Sequence, residues 1–124
     1  MLGAIAGDII GSIYERSPIK TKDFPLFGKG CTFTDDSVLT IAIAHAIMNN
    51  EPYDLALRDF YRAYPHAGYG GMFQRWAQDE QMGPYNSWGN GSAMRVSPVG
   101  YAFNTLEEVI TEAEQTAAVT HDHP

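Results

Sequence analysis

The chain has 124 residues, the length of one domain, and a chain of that size buries roughly two thirds of its unfolded surface. Its 44% hydrophobic and 19% charged composition excludes an intrinsically disordered polypeptide. Fifteen acidic against eight basic residues give a net charge of -7, which repels phosphates on average and argues against nucleic-acid partners.

The N-terminal run MLGAIAGDIIGSIYE is apolar, but it has no basic segment before it and Asp8 interrupts it. It therefore reads as part of the folded protein rather than a signal peptide. No apolar run approaches the ~20 residues needed to cross a bilayer. Gly3, Gly7 and Gly11 recur at i, i+4 and i+8, which on a helix leaves one face without side chains. That spacing predicts a soluble core helix with another backbone packed close against it.

From Arg16 to Thr32 the pattern breaks at Pro18, Pro25, Gly28 and Gly30, with Lys20, Lys22 and Lys29 between them. This predicts a long loop, and loops of that length inside compact domains often bind or cover something. The single cysteine, Cys31, has no partner for an internal disulfide and reads as a buried or half-buried thiol. A cytoplasmic setting is the matching expectation.

The segment TDDSVLTIAIAHAIMNN is apolar almost all round, which predicts a buried helix with Thr34 as N-cap and Asn49-Asn50 at its end. His45 within it reads as a packed core histidine. Tyr53 to Tyr64 forms the next helix, with Pro52 at its start and Pro65 past its end. His66 to Gly71 is a glycine-rich loop, Met72 to Gln78 a short helix, and Gln81 to Gly91 a loop again. Ala93 to Phe103 is partly helical, with Pro98 ending or bending it. Thr105-x-x-Glu108 is a capping box, followed by an amphipathic stripe of Leu106, Val109, Ile110, Ala113 and Ala117. No alternating strand pattern, repeat or linker interrupts this series, so the expected fold class is all-α.

Three places carry chemistry-bearing residues. Thr34-Asp35-Asp36 stands at the head of the buried helix. Adjacent carboxylates repel, and the helix N-terminus supplies about half a charge to offset them. The triplet reads either as a cap with dipole-favouring acids or as oxygen ligands for a hard divalent cation. Glu15 is either a solvated glutamate or an acid–base group near such a centre. Ser87-Trp88-Gly89-Asn90-Gly91-Ser92-Ala93-Met94-Arg95 is either a turn between helices or a loop whose glycines let backbone N–H groups approach a phosphate, with Trp88 free to stack on a base. It is neither a Walker A loop, lacking Gly-Lys-Ser/Thr, nor a Rossmann fingerprint, lacking a preceding strand. Gly68-Tyr69-Gly70-Gly71 is a weaker loop of the same kind. His121-x-His123 has a spacing that suits zinc on a strand better than on a helix.

Taken in order, these blocks resemble the ADP-ribosylglycohydrolase family. The matching stretches are Gly3-Ala4-Ile5-Ala6-Gly7-Asp8 through Gly11-Ser12 and Tyr14-Glu15, then Thr32-Phe33-Thr34-Asp35-Asp36-Ser37, then Gly89-Asn90-Gly91-Ser92-Ala93-Met94-Arg95, and finally Thr120-His121. The resemblance spans nearly the whole chain and implies one domain portion over residues 1–124 in an orthogonal all-α bundle. It implies a metal-dependent hydrolase that cleaves the glycosidic bond joining ADP-ribose to a modified side chain. Thr34, Asp35 and Asp36 would be metal ligands, and Glu15, Asp35 and Asp36 the catalytic carboxylates. Gly68, Tyr69, Ser87, Trp88, Gly89, Asn90, Gly91 and His121 would contact the substrate. The implied cofactor is a pair of Mg²⁺ (or Mn²⁺) ions, and the implied partner an ADP-ribosylated protein or a small ADP-ribose conjugate. The family's second ligand group, Asp-x-Asp-Thr, does not occur in this chain. The expectation is therefore a truncated bundle, weakly active or inactive alone, that self-associates or takes up a complementing C-terminal segment. The competing expectations are an ADP-ribose-binding module without hydrolysis and a helical interaction protein.

Overall fold

The computed structural model describes residues 1–123, and Pro124, the end of the His121–Pro124 tail, lies outside them. Among the described residues there are helices and turns and no strand. The helices are α1 (Leu2–Gly11), α2 (Asp35–Asn49), α3 (Tyr53–Ala63), α4 (Gly71–Gln78), α5 (Gly91–Arg95), α6 (Val99–Ala102) and α7 (Leu106–Ala118). A 3-10 turn at Ser12–Tyr14 follows α1, and the chain is then irregular to Thr34.

Helix α2 is the axis of the fold, touching α1, α3, α5 and α6. Its uniformly apolar composition follows from this, because neighbours cover most of its circumference. Val38, Leu39, Ala42 and Ile43 are buried there against Leu57 and Tyr61 of α3, Phe73, Trp76 and Ala77 of α4, and Val99. Asn50 closes the helix in the left-handed conformation, at φ 52°, and its N–H donates to Ala46 O. Asparagine tolerates that conformation better than most residues.

Arg58 fastens α3 to the far end of α4. It is buried, lies with Cζ 4.0 Å from the centre of the Trp76 ring, and donates to the carbonyls of Trp76, Asp79 (2.7 Å) and Met82 (2.9 Å). A guanidinium fork thus satisfies carbonyls that the end of a helix leaves without partners. Pro98 separates α5 from α6, as expected. Thr105 and Glu108 form the reciprocal capping box at the head of α7.

Three expectations fail. No atom comes within 4 Å of a Cβ built at Gly3, Gly7 or Gly11, and α1 has no buried residue. The bare glycine face is open, because α1 meets α2 along its other side. His45 is exposed, pairs with Glu51 at 3.3 Å and lies against Phe60, with ring centres 5.4 Å apart. Its side chain extends past the apolar surface to a carboxylate at the helix end. On α7, Val109 and Ala113 pack on the core but Leu106 and Ile110 are exposed. The inward line runs instead through the buried Thr116, whose hydroxyl donates to Ala113 O and whose carbonyl accepts from Arg95.

Candidate functional site

The head of α2 is built around Asp8 of α1. Asp8 Oδ2 accepts from Thr34 N–H (2.8 Å), Ser37 N–H (3.1 Å) and the Ser37 hydroxyl (2.5 Å), while Oδ1 accepts from the Thr34 hydroxyl (2.6 Å). The Thr34 hydroxyl in turn accepts from Asp36 N–H at 3.3 Å. Its single hydrogen is committed to Asp8, so one oxygen lone pair remains free. Asp35 N–H donates to Ala67 O at 2.8 Å, and Val38 N–H to Thr34 O at 3.2 Å. The first backbone donors of the helix are therefore all engaged. What the head of α2 offers a ligand is oxygen: a threonine lone pair and two carboxylates. Such a surface suits a cation and repels an anion.

The carboxylates register one another. Burial, then the charge of Asp36, then Glu15 and Asp8, push the Asp35 carboxyl up from 3.8 to about 6. Burial, then Asp8, also raise Asp36, against the lowering bond from Thr34. Glu15 is exposed just beyond the 3-10 turn, near enough for its charge to reach Asp35. Among the described residues, none of these acids has an ion-pair partner. No group of three His, Cys, Asp or Glu side chains there could hold a metal. The donor set still fits a hard cation, as two carboxylates and a hydroxyl, but it is only part of a coordination shell.

The 66–70 loop rests on this head through the Ala67 carbonyl. Gly68 has φ +103°, and a Cβ built on it would lie 3.7 Å from Asp35 Oδ1. A glycine is needed there by conformation, and the loop touches the carboxylate directly. Tyr69 is buried, stacked on Phe73 with ring centres 5.3 Å apart, and its hydroxyl has no partner. Burial, then Asp35, raise its proton affinity. It packs beneath the site rather than opening onto it.

A cleft of about 150 Å³ joins the two ends of the site. Asp35 lines it on one side, and Ser87, Gly89, Asn90, Gly91 and His121 on the other. Thr34, Asp36, Glu15, Gly68 and Tyr69 are not among its lining residues. Trp88 is 94% exposed and outside it. Three contributors have no site role in the sequence reading, although Asp8 and Arg95 lie in the stretches that carry the resemblance. Tyr85 and Arg95 line the cleft, and Asp8 orients Thr34. Arg95 is 1% exposed, and burial brings it down from 12.5 to about 10. The polar residue Asp8 within an otherwise apolar helix was the available signal for its role.

Among the described residues the fold is helical, and Asp35 at the head of α2 shares one cleft with the glycine-rich loop. The chain matches the ADP-ribosylglycohydrolase family over residues 1–124, and it belongs to that family. It is 30% identical over 152 residues to the ADP-ribosylhydrolase ARH3 of Xenopus tropicalis, with 98% of this chain and 43% of that protein covered. The ARH3 proteins of Mus musculus and Homo sapiens are each 24% identical over 161 residues, with 98% of this chain and 42% and 43% of theirs covered. The chain thus spans less than half the length of these relatives. No helix among the described residues is long and apolar enough to cross a membrane.

Proposed function

We propose that this chain carries the ADP-ribose cleft and the first cation-ligand group of a metal-dependent ADP-ribosyl hydrolase acting on an ADP-ribosylated protein or a small ADP-ribose conjugate. One observation carries the reading: Asp35 at the head of α2 lines a single cleft with Ser87, Gly89, Asn90 and Gly91. Thr34, Asp35 and Asp36 would hold Mg²⁺ or Mn²⁺, which when bound would supply positive charge beside the ribose hydroxyls and a water. The Ser87–Gly91 loop, with Arg95 behind it, gives the diphosphate end a neutral-to-positive wall opposite the acids. Glu15, exposed and close enough for its charge to reach Asp35, would exchange a proton with water. Gly68 allows close approach beside Asp35, and Trp88 is free to meet the adenosine.

The chain has no Asp-x-Asp-Thr, so its own residues supply part of a two-ion site. The remaining ligands would come from a complementing segment, and the exposed apolar side of α1 gives such a segment, or a second copy, a place to pack. Calorimetric titration with ADP-ribose, with and without Mg²⁺, tests the reading. Binding that strengthens with Mg²⁺ is expected, together with turnover of ADP-ribosyl-arginine far below that of a full-length relative. Absence of ADP-ribose binding under both conditions sinks the proposal. The partial ligand set favours a second reading, a binding module without hydrolysis, which predicts metal-independent binding.

A further inference from the structure

Arg95 is a fully buried guanidinium with no carboxylate partner among the described residues. Its Nη2 donates to Thr116 O (2.8 Å) and to Thr120 Oγ1 (2.8 Å). Thr120 is itself fully buried, and its hydroxyl lies 2.8 Å from His121 Nδ1. The other ring nitrogen, His121 Nε2, lies 2.9 Å from Gly89 O. In a neutral imidazole these partners fix the direction of every hydrogen. A carbonyl only accepts, so Nε2 carries the proton. A guanidinium only donates, so Thr120 Oγ1 accepts from Arg95 and turns its own hydrogen to Nδ1. The series runs Arg95 to Thr120 to His121 to Gly89, with each hydrogen pointing toward the glycine loop.

The same two residues meet the loop twice more. Ser87 N–H donates to Thr120 O at 2.9 Å, and a Cβ at Gly91 would lie 3.5 Å from His121 Cε1. The Ser87 hydroxyl then accepts from Gly89 N–H at 3.2 Å within the loop. The imidazole is thus bonded at both nitrogens and packed under the loop, with no free ring nitrogen to offer a ligand.

We propose that His121 is a positioning residue, held as the Nε2–H tautomer by the Arg95–Thr120 pair, and that it clamps the Gly89 carbonyl so that the Ser87–Gly91 loop keeps its cleft-facing shape. The consequence for ligand affinity rests on the function proposed above, whereas the clamp itself does not. With its carbonyl drawn back onto the imidazole, Gly89 presents less negative character to the cleft than a free carbonyl would. That favours an anionic group there.

The test uses the whole chain with ¹⁵N-labelled histidine. A pyridine-type signal at Nδ1 and a pyrrole-type signal at Nε2 of His121 are expected; the reverse assignment overturns the proposal. In Thr120→Val, which keeps the shape of the side chain but cannot donate, the Ser87–Gly91 amides should exchange at least about tenfold faster while those of α2 and α3 keep their protection. Thr120→Ser should restore both the tautomer signature and the slow exchange. Loop exchange unchanged in Thr120→Val, or in His121→Phe, also overturns the clamp. ADP-ribose affinity should fall about tenfold in Thr120→Val and recover in Thr120→Ser. If the unmodified chain shows the tautomer and the loop protection yet does not bind ADP-ribose, the clamp stands and the proposed function fails.

Discussion

Asp35 holds its proton more tightly in the folded chain than in the unfolded one, because burial and three neighbouring acids oppose its ionisation. A raised folded-state value stabilises the protein at low pH, and that contribution is lost as pH rises through about 6. Without a bound cation, Asp35→Asn should therefore stabilise the chain at pH 7 by about 1–2 kcal/mol after solvent screening. Urea unfolding of both proteins between pH 4 and pH 7 checks this. The gap should be widest at pH 7 and close toward pH 4; a constant gap rejects the electrostatic account. Asp8 accepts four hydrogen bonds from Thr34 and Ser37. An asparagine there has one acceptor oxygen and an unwanted donor, so Asp8→Asn should cost about 2 kcal/mol in the same unfolding experiment.

At the scale of the elements, Arg58 shows how a single side chain joins two helices. Arg58→Met keeps the apolar stem but removes the donor to the Trp76, Asp79 and Met82 carbonyls, of which Asp79 O keeps the Met82 N–H, and should lower stability by about 2–3 kcal/mol. Arg58→Lys should recover only part of this, since one ammonium cannot reproduce the fork. Thermal unfolding of the three proteins orders them. Elements whose signals are local were legible in the sequence: Thr34 before α2, the Thr105–Glu108 box, Pro98 between α5 and α6. The paired acids were visible too, but local physics alone left them as either dipole-favouring acids or cation ligands. What escaped depends on contacts between distant positions. Asp8 meets Thr34 across 26 residues, and Arg95 meets Thr120 across 25. The glycine row of α1 was misread for the same reason. Periodicity says which residues share a face, but not whether anything lies against it.

At the scale of the molecule, the uneven burial of the helices is the main feature. α2 is enclosed, whereas α1 has no buried residue and borders an apolar hollow of about 230 Å³ lined by Ile5, Ile9, Phe33, Ile41, Phe60 and Tyr64. Exposed apolar surface of this kind drives association. Light scattering should show self-association that grows with concentration and weakens in Ile5→Ser/Ile9→Ser; a clean monomer at every concentration would contradict this. The hollow also means that α1 is held as much by the Asp8 bonds as by burial. Those bonds orient the Thr34 lone pair, so a cation held there as proposed would share one arrangement with the docking of α1. Coupling of that kind is reciprocal: the factor by which docked α1 favours the cation is the factor by which the cation favours docking. The N-terminal helix would then report occupancy of the site, its amides growing more protected as Mg²⁺ is added and releasing that protection when the ion is chelated.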